Sequence, residues 1–413
     1  MIARFDWRDE GARTAALARP RGRDDAALLD SVRQIVADIR ARGWDALVEQ
    51  AVRIDGAAPE LVAVAGYAEQ ARRTLPPAAQ SAIALAIRNI ESFHRQTRPR
   101  DIDVTTMPGL SVAKQWRALA SAGLYIPGGK APLFSTLLML AIPARVAGVE
   151  RLTLVTPPRP EGGLDPAIAL AAELCGIDAI WTIGGAQAIA ALAYGAGQIA
   201  PVDRICGPGN AWVAAAKALV ASLPGGPGID LPAGPSELMV IADDSSDPAT
   251  VAADLLSQAE HDVDAQVLLV SPSDAVIAAV EQALADQANR VRAIRCASLD
   301  QAATIANAYA PEHLSLATDD ADRLVPLIRN AGAIFAGHSA AETFGDYLAG
   351  SSHVLPTDGA ARFTGGVSTL TFMKAITVQR VSANAARAIA APAAALARLE
   401  GLEAHALAAE CRA

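Results

Sequence analysis

From residue 121 onward, short apolar runs alternate with longer helical stretches, and glycine or proline separates each from the next. The runs have the length of buried strands, and the stretches between them are long enough to cross over between parallel strands. The runs that predict strands are GLYIP, RLTLV, AIWTI, DRIC and LMVIA in one series, and QVLLV and AIFAG in a second. This alternation predicts an α/β protein with two Rossmann-like units.

Helical segments flank the alternating region on both sides. The stretches AALLDSVRQIVADIRARG and PAAQSAIALAIRNIESFHRQ carry apolar residues at three- and four-residue spacing, and Asp24 and Asp25 stand where the first helix needs a cap. After Lys374 the chain becomes alanine-rich and amphipathic, with Pro392 placed to start or kink a helix. We therefore expect small helical segments at both ends of the chain.

The composition limits the class of function. With 52% apolar and 19% charged residues, the 413-residue chain can bury a large core. The formal charge of −9 argues against a nucleic-acid partner, because phosphate backbones are bound by basic surfaces. The four cysteines form no CxxC pair, which fits a reducing cytoplasm. We expect no membrane span, because glycine and glutamine interrupt the longest uncharged segment, 182–202.

Two short motifs combine an imidazole with an oxygen donor. In SQAEHD, Gln258 and His261 stand three residues apart in an apparent helix and share one face. They either bind one metal ion or are ordinary polar side chains, exposed to solvent or hydrogen-bonded within the core. In APEHLSL, Glu312 and His313 are adjacent, so they either share proton transfer or form a turn with incidental charge. The residues alone leave both alternatives open.

Further candidates lie in segments rich in glycine. GDYLAGSSHVLPT predicts a loop at a cleft, with Asp346 as a candidate oxygen ligand and His353 as a candidate substrate contact. The clusters IPGGKAP, IGGAQ and CGPGN lie where an apolar run meets a helix, an arrangement that points N–H groups at an anion such as a pyrophosphate. Cys206 is either a nucleophile or a buried apolar residue, and no His or Lys is near it in sequence, which favours the second.

A series of long motifs occurs in collinear order between Gly123 and His405. They are GLYIPGGKAPLFSTLLMLAIPARVAG, GGAQAIAALAYG, VDRICGPGN, DLPAGPSE, DLLSQAEHD, YAPEHLSL, GDYLAGSSHVLPT and EGLEAHA. Together they resemble the histidinol dehydrogenase family, and so many spaced matches are a specific signal. The resemblance implies a cytoplasmic, zinc-dependent enzyme that oxidises L-histidinol to L-histidine by two hydride transfers to NAD.

The resemblance also implies a role for each candidate residue. The residues that match the family's zinc ligands are Gln258, His261, Asp346 and His405. His313 matches the base that removes the hydroxyl proton, and Glu312 matches the group that activates water. Substrate contacts are implied for these zinc ligands and His313, and further for Ser236, His353 and Glu400. The residues that match NAD contacts are Tyr125, Gln187 and Asn210.

The family's fold implies two incomplete Rossmann-like domains, as in aldehyde dehydrogenases, that face each other across a cleft. On this pattern the chain divides into a helical segment at 1–24, a first domain formed by 25–122 and 238–367, a second domain at 123–237, and a helical tail at 368–413. In the family the tail crosses to the other subunit of a homodimer. Glu400 and His405 are therefore expected to complete the other subunit's site.

Two alternatives keep parts of this assignment. A diverged member of the superfamily would oxidise another small primary alcohol with the same zinc and NAD. A subunit without turnover would keep the metal ligands alone. The adjacent Glu312 and His313 argue against the second alternative.

Overall fold

The computed structural model describes residues 1–19, 26–128, 133–231, 234–261 and 263–413. Strands and helices alternate along most of these ranges. The strands are β1 (Ala3–Asp6), β2 (Glu60–Ala63), β3 (Ile102–Met107), β4 (Leu110–Ala118), β5 (Ser121–Tyr125), β6 (Arg151–Thr156), β7 (Ala179–Thr182), β8 (Arg204–Cys206), β9 (Gly228–Ile229), β10 (Glu237–Ala242), β11 (Gln266–Ser271), β12 (Val291–Arg295), β13 (His313–Ala317), β14 (Ala333–Ala336) and β15 (Met373–Val381).

The α-helices cover the faces of the sheets. They are α1 (Glu10–Ala16), α2 (Ala26–Arg42), α3 (Trp44–Asp55), α4 (Ala65–Thr74), α5 (Pro77–Thr97), α6 (Phe134–Ala147), α7 (Pro166–Leu174), α8 (Gly185–Tyr194), α9 (Ala211–Ser222), α10 (Pro248–Ala259), α11 (Asp274–Leu284), α12 (Leu299–Tyr309), α13 (Ala321–Leu324), α14 (Glu342–Tyr347), α15 (Ala383–Leu399) and α16 (Glu403–Glu410).

Six strands form the first sheet, in the order β2-β7-β6-β5-β8-β9. The central strand β5 pairs in parallel with β6 and β8, and the edge strand β2 runs antiparallel to β7. Helices α4 to α7 cover one face, and α2, α3, α8 and α9 cover the other, which gives the sheet a hydrophobic core on each side. Burial on both faces explains why its central strands are continuous apolar runs in the sequence.

Six further strands form the second sheet, in the order β1-β12-β11-β10-β13-β14, and all pairs are parallel. Helices α10 and α11 cover one face, and α1, α12 and α13 cover the other. The central strand β10 is buried along its whole length. The polar motif residues therefore lie at strand ends or on covering helices.

A third, antiparallel sheet has the order β15-β4-β3 and leads into the tail. β15 pairs with β4 along all nine of its residues, from Met373 opposite Ala118 to Val381 opposite Leu110. The tail helices, α15 and α16, follow and pack against each other. They present exposed leucines to solvent, namely Leu396, Leu399, Leu402 and Leu407.

The predicted α/β class is confirmed, and the ends of the chain differ from their predicted helical character. The chain begins with β1, which pairs with β12 of the second sheet, and the region 368–413 contains the strand β15. Pro392 lies inside α15, so it does not start that helix. Asp24 and Asp25 lie outside the described residues.

The sheets also divide the chain differently from the predicted domain boundaries. The prediction groups 25–122 with 238–367, but β2 pairs with β7 and helices α2 to α5 pack in the cores of the first sheet, so residues 26–97 belong with that sheet. The chain's beginning instead joins the second sheet, because β1 extends that sheet and α1 contributes to its core. Short-range patterns in the sequence do not indicate which sheet a flanking segment covers.

Two motif predictions change in detail. α10 ends at Ala259, so Gln258 is helical but His261 lies beyond the helix. The His261 N–H donates to the Gln258 carbonyl over 3.3 Å, an i to i+3 turn that ends the helical path. Asp346 was expected in a loop but lies in α14, where Gly345 leaves room for the ring of Phe335. His353 does lie in a loop, as predicted.

Candidate active site

The Glu312–His313 couple lies at the amino ends of the neighbouring strands β10 and β13. His313 is the first residue of β13 and stands opposite Leu238 in the register with β10. The N–H of Glu237 donates to Glu312 Oε2 over 2.9 Å, and the Glu237 carbonyl lies 3.2 Å from His313 Nδ1. Both members of the couple are buried. One residue of β10 thus fixes both of them through its backbone.

The side chain of Glu237 anchors this arrangement. It is fully buried and accepts hydrogen bonds from Arg19 Nε at 2.5 Å, from Arg19 Nη2 at 2.9 Å and from the Asp358 N–H at 3.1 Å. The Arg19 guanidinium lies over the ring of Tyr309, 3.7 Å from its centroid. A bidentate charged pair of this kind fixes orientation as well as distance. The beginning of the chain therefore helps to position the couple.

Helix α14 brings two carboxylates to His313. Glu342 Oε1 lies 3.5 Å from Nδ1, and Asp346 Oδ1 lies 3.8 Å from Nε2. Glu342 and Asp346 are one helical turn apart and share a face. The ligand atoms of the three side chains all lie within 4.8 Å of one another, a spacing that suits one metal ion. The imidazole also stacks on Phe335, with ring centroids 5.9 Å apart.

Gln258 lies on helix α10, which packs on α14. This side chain is 1% exposed, and neither its Nε2 nor its Oε1 has a hydrogen-bond partner among the described residues. His313 Nε2 and Glu342 Oε2 are buried without a partner as well. An unpaired buried polar atom costs about 1–3 kcal/mol, so several together indicate a ligand-binding site. We call Gln258, Glu312, His313, Glu342 and Asp346 the His313 cluster.

The His313 cluster carries an excess of negative charge. Burial raises the pKa of Glu342 to about 8, and neighbouring carboxylates, Asp254 on α10 among them, add to that shift. Burial by itself lowers the pKa of His313, but the surrounding carboxylates outweigh it and raise that pKa to about 10. A bound divalent cation would balance this charge and stabilise the ionised carboxylates.

His353 extends the site towards the helices of the first sheet. Its Nδ1 lies 2.8 Å from the Asp346 carbonyl and therefore carries the proton. Its Nε2 lies 3.5 Å from the hydroxyl of Thr136 on α6. Burial lowers the pKa of His353, which keeps the ring neutral. The ring can thus act as a hydrogen-bonding contact for a substrate between the two sheets.

The other predicted site residues are not part of the His313 cluster. Ser236 is half-buried beside Glu237, and His261 is exposed just beyond α10. Glu400 and His405 are exposed on the tail. Within the described ranges, no hydrogen bond or ion pair joins these two tail residues to the cluster. A single chain therefore assembles only part of the predicted site.

A cavity of about 790 Å³ lies at the carboxyl ends of the strands of the first sheet. Tyr125 ends β5, Gln187 lies in the first turn of α8, and Asn210 caps α9; all three line the cavity. The Tyr125 hydroxyl accepts a hydrogen bond from the Gly185 N–H at 3.2 Å. The structure thus brings the predicted cofactor residues together at the sheet edge where α/β proteins bind nucleotides. Of the IPGGKAP cluster, residues 129–132 lie outside the described ranges.

Cys206 is the last residue of β8 and is fully buried. Burial raises the pKa of its thiol well above the ordinary value. A thiol that stays protonated is a poor nucleophile. The structure therefore supports the interpretation of Cys206 as a small apolar core residue.

Sequence reasoning missed Glu342, Glu237 and Asp55. A helical interpretation of AETFGDY would have placed Glu342 and Asp346 on one face. The role of Glu237 depends on the pairing of β10 with β13, which no local pattern indicates. Asp55 lines the cavity and bonds Gln187 Nε2 across 132 residues of chain, so proximity in the sequence could not indicate it either.

The fold and these two sites together define an α/β oxidoreductase. The first sheet offers a cavity of the size and position that suits a dinucleotide. The second sheet offers a buried acid–base couple beside side chains that can hold a metal ion. Among the helices of the described ranges, none has the length and apolar character needed to span a membrane.

Comparison with known proteins specifies the family. The family model described as histidinol dehydrogenase matches residues 18–413. The histidinol dehydrogenase of Xanthomonas campestris is 45% identical over 97% of both chains, and that of Rhodospirillum rubrum is 45% identical over 93% of this chain and 92% of the relative. The crystal structure of histidinol dehydrogenase from Elizabethkingia anophelis, 35% identical, has a TM-score of 0.94 and covers 100% of this chain and 98% of that one. This chain belongs to the histidinol dehydrogenase family.

A more distant structure shares the fold alone. A putative aldehyde dehydrogenase from Burkholderia cenocepacia is 17% identical, with a TM-score of 0.50 over 90% of each chain. The predicted resemblance to aldehyde dehydrogenases in fold is therefore confirmed.

Proposed function

We propose that this chain oxidises L-histidinol to L-histidine with NAD and a zinc ion. Membership of the family supports the reaction. The observation that carries the proposal is the buried Glu312–His313 couple next to the carboxylates of α14, with the buried Gln258 amide on the adjoining helix α10 lacking a partner among the described residues. We place the enzyme in the cytoplasm, because its four cysteines are free thiols.

Oxidation of a primary alcohol to a carboxylic acid requires two hydride removals and one addition of water. A hydride and a proton first leave the carbinol, which gives the aldehyde. Water then adds to give the hydrate, and a second hydride and proton leave to give the acid. Each substrate molecule therefore reduces two NAD, and the protein must supply groups that accept protons.

His313 is suited to accept the alcohol proton. Its Nδ1 faces the Glu237 carbonyl at 3.2 Å, which places the ring proton on that nitrogen. Its Nε2 then has a free lone pair, is buried without a partner and lies on the side of Asp346. A neutral imidazole nitrogen in this position is a general base. A cation in the His313 cluster would lower the pKa of His313 from its value of about 10 towards neutrality.

Glu312 is suited to activate water for the second half of the reaction. Its Oε2 is fixed by the Glu237 N–H at 2.9 Å. Within the described residues, no hydrogen bond ends on its Oε1. The carboxylate thus has one oxygen for orientation and one oxygen for a water molecule. A water held there would add to the aldehyde carbon.

The donor atoms of the site fit zinc. We assign Gln258, His261 and Asp346, together with His405 of a second copy, as its ligands, because imidazole nitrogens with oxygen donors suit this ion. The unpaired amide of Gln258 and the position of Asp346 within the metal-sized group support the assignment. When bound, zinc supplies a Lewis acid that orients the amino and imidazole groups of the substrate.

The remaining polar residues would contact the ligands. We assign Ser236, His353 and Glu400 as further substrate contacts, the last from a second copy. The half-buried position of Ser236 beside Glu237 and the neutral ring of His353 support their roles. Tyr125, Gln187 and Asn210 would contact NAD, since all three line the cavity of the first sheet.

We infer a homodimer in which the tail helices cross between subunits. The tail leaves apolar surface in water, with Leu399 84% exposed and Leu396 65% exposed. Phe344 and Tyr347 of α14, beside Asp346, are 56% and 45% exposed and offer apolar surface next to the site. Several large apolar side chains left exposed on one short segment are typical of an interface. A crossed tail would bring Glu400 and His405 to the other subunit's cluster.

An assay of NADH formation tests the proposed function. We expect metal-loaded protein to form two NADH per L-histidinol consumed, to lose activity on chelation and to regain it with zinc. Metal-loaded, folded protein that forms no NADH from L-histidinol would contradict the proposal.

A further inference from the structure

The cavity of the first sheet contains a carboxylate that the proposed function does not yet use. Asp55 is the last residue of α3 and lines the cavity together with Tyr125 and Asn210. Its Oδ2 accepts hydrogen bonds from the Gly184 N–H and from Gln187 Nε2, both at 3.0 Å. One oxygen of Asp55 thus fixes the start of α8 and the side chain of a proposed cofactor contact.

The other oxygen of Asp55 is not engaged. Among the described residues, no hydrogen bond ends on Oδ1, and no arginine or lysine forms an ion pair with this carboxylate. Arg53 is the one cation among the described residues that line the cavity, and its Nη2 donates to Gln50 Oε1 at 2.6 Å. Asp55 therefore presents a negative charge to the cavity, and no side-chain cation of the described residues neutralises it.

A second carboxylate on the same cavity wall provides a contrast. Asp38 accepts hydrogen bonds from Arg42 at 2.6 and 2.8 Å and from Gln50 Nε2 at 2.9 Å. Both of its oxygens are engaged, and its charge is paired. Asp38 is thus a matched control for Asp55: it is a carboxylate on the same cavity wall, but both of its oxygens already accept hydrogen bonds.

The N-terminus of α8 lies against the carboxylate of Asp55. Gly184 caps this helix, and its N–H points at the carboxylate. The positive end of a helix dipole favours an anion. A fixed anion at this position attracts hydroxyl donors and repels phosphate groups.

We propose that Asp55 accepts a hydroxyl group of the cofactor's adenosine ribose and thereby discriminates NAD from its 2′-phosphorylated form. The inference rests on the proposed use of NAD. A ribose diol offers O–H donors to Oδ1, and acidic side chains near the carboxyl ends of strands recognise this diol in α/β folds. A 2′-phosphate would instead bring its negative charge against the unpaired carboxylate.

Steady-state kinetics with NAD and with NADP test this inference on the metal-loaded wild type and on Asp55→Asn and Asp38→Asn. In Asp55→Asn we expect the KM for NAD to rise about tenfold, with kcat at saturating NAD changed less than about threefold. We also expect the ratio of kcat/KM for NADP to that for NAD to rise by about tenfold or more. Asp38→Asn should keep this ratio within about twofold. An unchanged ratio in Asp55→Asn would overturn the inference.

Binding of nucleotide fragments separates this inference from the proposed function. Titration with 5′-AMP and 2′,5′-ADP can be followed by intrinsic fluorescence, to which Trp212 on the cavity wall contributes. We expect wild type to prefer 5′-AMP and Asp55→Asn to lose that preference, and an unchanged preference would overturn the inference. Wild type that uses no NAD would contradict the proposed function, and the titration would still decide the role of Asp55. If Asp55→Asn does not fold, Asp55→Ser, which keeps an acceptor for Gly184, should show the same changes.

Discussion

The two large sheets carry their polar sites at opposite ends of their strands. The cavity of the first sheet lies at the carboxyl ends, where loops and helix N-termini present N–H groups, as is usual for nucleotide sites. The His313 cluster lies at the amino ends of β10 and β13, and the covering helices α10 and α14 supply its other side chains. The first site is therefore built from backbone and caps, and the second from converging side chains.

The two sites also differ in how far their polar groups are satisfied. In the cavity, the Tyr125 hydroxyl and Asp55 Oδ2 have partners, although Gln187 Oε1 does not. In the His313 cluster, both amide atoms of Gln258 and Nε2 of His313 are buried without partners among the described residues. We therefore propose that one chain completes the cavity of the first sheet, whereas the second site also needs an ion and another subunit's tail.

The largest expected effect comes from removing the base of the second site. His313→Asn should lower kcat for L-histidinol by about a thousandfold, because it removes the proposed base for the alcohol proton, with bound zinc retained. Activity and metal content are measured on the same sample. His338→Asn is the matched control, since His338 is partly exposed and pairs with Asp319. Near-normal turnover in His313→Asn would contradict the assignment.

Mixing two inactive variants tests whether the second site is shared. His405→Asn should lose zinc and activity, and a heterodimer with His313→Asn should regain one intact site. After random reassortment we expect about a quarter of wild-type activity. Mass spectrometry verifies the heterodimer. Verified heterodimers without activity would show that the tail does not cross.

Replacement of one glutamine in each site should affect stability in opposite directions. Gln258→Leu removes a buried, unpaired amide, so metal-free protein should gain about 1–3 kcal/mol of unfolding free energy while its zinc affinity falls. Gln187→Leu removes the hydrogen bond to Asp55 and should destabilise the protein. Denaturant unfolding measures both. Equal destabilisation by the two substitutions would contradict the proposed difference in hydrogen bonding between the two sites.

The smallest expected effect is a pH dependence of the metal-free protein. Glu342 has a pKa of about 8 in the folded protein, above the ordinary 4.5, and His313 one of about 10, above 6.5. A group whose pKa is raised by folding contributes its full stabilisation of the folded protein below its ordinary pKa. This contribution is lost as the pH rises through the pKa that the group has in the folded protein. We therefore expect the unfolding free energy to fall between about pH 4.5 and about pH 10, and Glu342→Gln to flatten the slope below about pH 8. If Glu342→Gln leaves the slope unchanged, a group other than Glu342 causes the pH dependence.

Much of this architecture could be predicted from local pattern. Continuous apolar runs indicated the strands of both sheets because these strands are buried on both faces. The motifs around Gln258, Glu312 and Asn210 indicated side chains that the structure places in the His313 cluster or the cavity. These signals are short in range: Gln258 was predicted in a helix, and the other two motifs border apolar runs.

What could not be predicted depends on contacts between distant segments. Glu237 holds Glu312 across 75 residues, and Arg19 holds Glu237 across 218. The same reason explains why residues 26–97 were grouped with the wrong sheet, since no local pattern indicates that β2 pairs with β7. The observed helix bounds also differ from the predicted ones. His261 lies beyond the end of α10, and Asp346 lies within α14.

We propose that one zinc ion completes the second site, with a ligand from another copy of the chain. Anomalous diffraction at the zinc absorption edge, on crystals of the zinc-loaded protein, tests it most directly. We predict one peak per subunit between α10 and α14, about 2.0–2.2 Å from ligand atoms of Gln258, His261, Asp346 and a second copy's His405. A peak elsewhere, or one coordinated by a single chain alone, would contradict the account.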